Sequence, residues 1–108
     1  MIIEITQSNF KEVIQNENLS VIKVGADWCG PCRVVKPILE KVANTVEKVT
    51  IGELDTENES ALSTELGIRS IPTTLFYKNG QKIKTFIGAY SETQLNNMIE
   101  ETKNIRTA

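Results

Sequence analysis

Residues 19–26 read Leu-Ser-Val-Ile-Lys-Val-Gly-Ala. A strand with one face in water alternates apolar and polar side chains. This run is apolar and β-branched on both faces, as expected of a strand covered from both sides. It predicts an internal strand of a sheet that carries helices above and below. Lys23 is its only charged residue.

The rest of the chain supplies the layers. A short strand at 2–5 precedes a helix expected over 8–16, with Ser8 as its N-cap. After the central strand, Val35, Ile38, Leu39, Val42 and Val46 recur at steps of three and four, so one helical stripe faces a core. Pro37 lies inside that helix and predicts a local bend. A third strand is expected at 49–54, then a helix over 58–66 closed by Gly67. Residues 73–77 and 82–87 form a hairpin with Asn79-Gly80 as its turn. Ser91 and Gln94 form a capping box for a last helix that buries Leu95, Met98 and Ile99. The order βαβαβαββα predicts an α/β fold with a central mixed five-stranded sheet and helices on both faces. At 108 residues, the chain is expected to be one domain, 1–108.

Charge narrows the function. Twelve basic and fourteen acidic residues give a net charge of −2, with no histidine. There is no basic block to suit a phosphate backbone, so nucleic acid is not an expected partner. The N-terminus shows no positive leader, and no apolar run is long enough for a membrane span. The expected compartment is the cytoplasm, with no membrane association.

Cys29 and Cys32 are the only two cysteines, separated by Gly30 and Pro31. A bridge between them would close a tiny loop and remove little unfolded-state entropy, which disfavours a purely structural staple. A zinc site wants four Cys or His ligands, and this chain would need a second copy or carboxylates to complete the set. Redox exchange fits better. Cys29 follows a strand where the next helix begins, and unpaired N–H groups and the helix dipole there favour a thiolate over the ordinary thiol pKa of about 8.5. Cys32 lies one turn on, where its sulfur can reach the first. Pro31 suits a first helical turn, because no partner for its missing N–H is needed there.

Trp28-Cys29-Gly30-Pro31-Cys32 resembles the active site of the thioredoxin family. Asp27-Trp28, Pro37, Ile71-Pro72, Lys78-Asn79-Gly80 and Gly88-Ala89 also fall where that family has them, so the resemblance spans essentially the whole chain. It implies the thioredoxin fold and a protein-disulfide reductase regenerated by a flavin-containing thioredoxin reductase. It implies no bound cofactor or metal, and a monomer whose partners are that reductase and protein disulfides. Cys29 would be the exposed nucleophile and the more buried Cys32 the resolving cysteine. Ile71-Pro72 would be a cis-proline loop that pairs with an extended substrate segment. Trp28, Gly30, Pro31, Ile71, Ile87, Gly88 and Ala89 would form a flat apolar docking surface.

Two positions depart from the family pattern. Lys23 stands where the family usually has an aspartate, and Glu53 where it usually has a lysine. Side chains alternate along strands, which puts both in one core layer of neighbouring parallel strands. An unpaired buried charge is expensive, so a matched swap is expected to form a buried or half-buried ion pair. Glu53 would then take over as the base that accepts the Cys32 proton. Gly25 stands where a tryptophan is common. These departures leave room for a specialised member with a dedicated partner, a disulfide oxidase or isomerase, or a docking module that does not turn over. Gly-Pro between the cysteines argues against the oxidase.

Overall fold

The computed structural model describes residues 1–107 and runs β1 (Ile2–Glu4), α1 (Phe10–Ile14), β2 (Leu19–Gly25), α2 (Gly30–Thr45), β3 (Val49–Asp55), α3 (Ser60–Glu65), β4 (Thr73–Lys78), β5 (Gln81–Ile87) and α4 (Glu92–Lys103). The strands form one sheet in the order β1-β3-β2-β4-β5. β1, β3 and β2 are parallel, while β4 and β5 run antiparallel to their neighbours. This is the thioredoxin fold expected from the sequence.

Its layers follow from the period of two along β2, which is buried at every residue. Leu19 and Val21 pack with Val35, Leu39 and Val42 of α2 and with Leu95 and Ile99 of α4. Ile22 and Val24 point the other way, toward Phe10 and Ile14 of α1 and Leu62 of α3. Crossing from β1 to β2 and back to β3 reverses direction in the sheet. Right-handed crossovers then place α1 and α2 on opposite faces. Lys23 shares the odd-numbered face, beneath α2.

Local chemistry sets the element ends. Asn79 and Gly80 both have positive φ, 51° and 78°, as the primed turn of a two-residue hairpin requires. Past α3, Gly67 has φ 73°. Its N–H donates to the Thr64 carbonyl while that of Ile68 donates to Ser63, the paired bonds of a Schellman ending. The capping box on α4 is reciprocal, Ser91 Oγ accepting from Gln94 N and Gln94 Oε1 from Ser91 N.

Two helix starts differ from expectation. Ser8 is not the N-cap of α1. Asn9 holds that position, but its amide bridges backward, Oδ1 accepting the Thr6 N–H and Nδ2 donating to the Glu4 carbonyl. Among the described residues, Ser8 Oγ hydrogen-bonds only with Thr6 Oγ1. The side chains before α1 tie it to β1 instead of capping it. α3 begins at Ser60, two residues later than expected, because Asp55 Oδ1 accepts the N–H groups of Glu57 and Asn58 in a turn of its own. Pro37 lies within α2, which continues on both sides of it.

Candidate active site

β2 ends at Gly25, and after four connecting residues the chain enters α2 at Gly30. That turn is pinned at both ends. Gly25 accepts the Thr56 N–H across the sheet, and Ala26 accepts that of Cys29. Cys29 is the N-cap of α2, with extended backbone, and Pro31 occupies the first turn. The cysteine sulfur stands in for the usual capping oxygen: Cys29 Sγ accepts the Cys32 N–H at 3.2 Å. Cys29 and Cys32 are joined by a disulfide, their Cα atoms 5.2 Å apart.

In this oxidised state Cys29 is 5% exposed and Cys32 2%. The order matches expectation, but Cys29 is not an exposed side chain. Its sulfur is turned into the helix cap, and the bridge to Cys32 holds it there.

Register brings the remaining site residues to the same end of the sheet. Val24 pairs with Thr73 in the antiparallel β2–β4 ladder, so Pro72 falls beside the end of β2. The Ile71–Pro72 bond is cis. Pro72 is buried and its carbonyl accepts the Gly88 N–H at 2.8 Å, which draws the residue after β5 alongside. Gly88 has φ 103°, a conformation that glycine adopts without the penalty of a side chain. Trp28 and Ile87 are each 65% exposed, among the most exposed large apolar residues described. Gly30, Pro31 and Ala89 are exposed around them, and Ile71 is half-buried.

Lys23 and Glu53 are register partners. Lys23 Nζ lies 2.9 Å from Glu53 Oε2, with side-chain exposures of 7% and 26%. The expected pair is present, and its two ends are unequally buried. Burial pushes Tyr90, on the same side of the sheet, up to about 12, against a hydrogen bond from Thr74 that lowers it and the Glu53 charge that raises it further. Tyr90 therefore stays protonated at neutral pH.

The sequence reading missed two features. Trp28 Nε1 donates to Glu57 Oε1 at 2.7 Å, so an acidic side chain in the turn after β3 orients the exposed indole. The signal lay in topology, because the loops after two adjacent parallel strands emerge side by side. The second is an open cleft of about 580 Å³ that reaches Cys32 between α2 and the ends of β1 and β3. Among the described residues no cluster of three or more His, Cys, Asp or Glu side chains is arranged to hold a metal ion.

Known proteins place this architecture. The family model described as Thioredoxin matches residues 1–101. A thioredoxin from Malassezia sympodialis is 43% identical over 82 residues, covering 74% of this chain and 78% of that protein. One from Haemophilus influenzae is 35% identical over 102 residues, covering 93% of this chain and 95% of its own. The crystal structure of Malassezia sympodialis thioredoxin superposes with a TM-score of 0.87 at 36% identity, over 95% of this chain and 91% of that one.

Proposed function

The chain belongs to the thioredoxin family and carries out thiol–disulfide exchange through its Cys29–Cys32 pair, and from that premise we propose that it works as a general protein-disulfide reductase. The observation that carries this reading is the cap: Cys29 Sγ already accepts a backbone N–H at the start of α2. A sulfur so placed gains most when it becomes a thiolate, because a charge-assisted hydrogen bond and the helix dipole both favour the anion.

In the proposed cycle the Cys29 thiolate attacks a substrate disulfide. Its sulfur bonds to one substrate sulfur, and the other leaves as a thiolate. Cys32, one turn on, then attacks Cys29, closing the internal disulfide and expelling the second substrate sulfur. Glu53, paired with Lys23, accepts the Cys32 proton directly or through a water. The substrate segment lies against Trp28, Gly30, Pro31, Ile87, Gly88 and Ala89. The Pro72 carbonyl is engaged by Gly88, so backbone pairing with substrate falls to Ile71. A thioredoxin reductase restores the dithiol, making the protein an electron carrier with no further cofactor. We place it in the cytoplasm as a monomeric single domain spanning 1–108.

Dithiothreitol-driven reduction of a protein disulfide, followed from pH 6 to 9, tests the assignment. The wild type should turn over, and Glu53→Gln should be slower, most of all at low pH where the Cys32 thiolate is scarce. Equal rates for the two proteins would make Lys23–Glu53 a structural pair only. No turnover by folded wild type would refute the reductase reading and favour a docking module.

A further inference from the structure

Gly25, the last residue of β2, has its side-chain position already taken. A β-carbon there would lie 2.9 Å from Cys32 Sγ, closer than packing allows, and 3.6 Å from Lys23 Cε. The Cys32 sulfur therefore rests against Gly25, and the methylene that carries the Lys23 ammonium reaches the same spot. The period of two along β2 brings this about, since residues 23 and 25 share the face beneath α2. A larger residue at position 25 would push the sulfur and the lysine apart.

The charges around Cys32 are not equally effective. Arg33 and Lys36 of α2, Asp27 of the turn before it and Glu4 of β1 line the adjoining cleft but are exposed, so water and salt screen them. Glu53 and Asp55 of β3 are half-buried. Among the described charged side chains of this cleft only Lys23 of β2 is buried, at 6% exposure. Glu53 keeps 26% of its side chain exposed, so the anionic end of the pair is better screened than the cationic end. Tyr90 of the same layer is protonated at neutral pH and adds no charge. The field that reaches the Cys32 sulfur from the sheet is thus positive.

We propose that Lys23 is a counter-ion shared by two anions in turn, the Glu53 carboxylate at rest and the Cys32 thiolate during release of substrate. An ammonium has three donors, so contact with Glu53 Oε2 at 2.9 Å does not exhaust it. The inference deepens the reductase cycle and rests on it. In the mixed disulfide Cys29 is bonded to substrate, and Cys32 must form its thiolate in the protein interior. Its proton passes to Glu53, and the negative charge crosses from one side of Lys23 to the other. The thiolate then attacks Cys29 Sγ, and the substrate sulfur leaves with the electron pair of the broken bond. Glu53 sets how fast the proton leaves a sulfur that is only 2% exposed in the disulfide. Lys23 sets how far the thiolate is favoured once formed.

Cys29→Ser leaves Cys32 as the only thiol, and its thiolate can be titrated at equilibrium by ultraviolet absorbance. The titration is run in a Glu53→Gln background, where Lys23 has no carboxylate to act through. Adding Lys23→Met there should move the midpoint up by about one pH unit or more, the effect of losing a nearby opposite charge. Lys23→Arg, which keeps the cation, should stay within about half a unit. An unmoved midpoint in Lys23→Met overturns the proposal. If those variants do not fold, the protein with Cys29 and Glu53 intact gives a second reading. Reduced protein is mixed with excess uncharged hydroxyethyl disulfide at pH 6, quenched with acid, and the adduct on Cys29 is followed by mass. In Lys23→Met the adduct should live about tenfold longer than in wild type, the kinetic equivalent of one pH unit, and in Lys23→Arg about as long as in wild type. Equal lifetimes in Lys23→Met and wild type sink the idea as well. Dithiothreitol-driven turnover of a protein disulfide, run in parallel, reports the cycle itself. No turnover by wild type would remove the premise, whereas turnover beside an unmoved midpoint would remove only the role of Lys23.

Discussion

Lys23 keeps 7% of its side chain exposed and Glu53 keeps 26%, so the two ends of one ion pair have unequal routes to water. The alternation of β2 and β3 predicts the pairing, since parity alone puts both residues on the α2 face. The asymmetry was not readable, because it depends on the edge. Only the three-residue β1 lies outside β3, and it ends at Glu4, directly opposite Glu53. This inequality fixes an order of mutational cost. Glu53→Gln leaves an ammonium buried without its counter-charge and should cost about 3 kcal/mol. Lys23→Met leaves a carboxylate that can turn to solvent, so about 1–2 kcal/mol is expected. The double variant should lose clearly less than the two costs combined, because it leaves no orphan charge. Urea unfolding of the four proteins measures all three quantities, and small additive effects would contradict the burial argument.

Helix starts show where sequence signals decide and where the tertiary structure overrides them. At α4 the signal is reciprocal, Ser91 and Gln94 each satisfying the other's backbone, and both bonds form. At α1 two competent residues stand in a row, Ser8 and Asn9. Asn9 is used to join the helix to the end of β1, so neither side chain caps. The consequence is measurable by thermal unfolding. Ser91→Ala should cost about 1 kcal/mol, the usual worth of a side-chain cap. Ser8→Ala should stay within about 0.5 kcal/mol, as surface changes do, since among the described residues Ser8 Oγ hydrogen-bonds only with another hydroxyl. Equal losses at the two serines would mean that the α1 cap forms in solution. The β2 run, apolar on both faces apart from Ser20 and Lys23, the hairpin turn and the α2 stripe were legible because each is stated within a few neighbouring residues. Boundaries set by Asn9 and Asp55 were not, because those side chains act on turns and on another strand.

At the scale of the whole molecule, the site is an end of the sheet and not a stretch of chain. The sulfurs follow β2, Ile71-Pro72 precedes the antiparallel β4, and Gly88 follows β5, so three distant segments meet at one end of the sheet. The cysteine motif could be read locally, and the proposed docking surface rests on the resemblance. The cleft behind Cys32 could not, since it is the space that β1, α2 and the turn after β3 leave uncovered. Ile87 tests whether the meeting of segments matters to function. It lies at the end of an edge strand, 65% exposed, and its backbone pairs with Thr73. An aspartate there removes no core contact, so stability should change by no more than about 0.5 kcal/mol. Against a protein substrate it places a charge in the docking surface proposed above, where a partner would be desolvated. A loss of about 1–2 kcal/mol is expected of an interface position, which is roughly a five- to thirtyfold fall in kcat/KM carried mainly by KM. Dithiothreitol needs no such surface, so its direct reduction of the Cys29–Cys32 disulfide should stay within about twofold. Unaltered kinetics of Ile87→Asp on a protein disulfide would show that substrates dock elsewhere. A parallel fall with both reductants would locate the damage in the sulfurs and their helix cap instead of the surface.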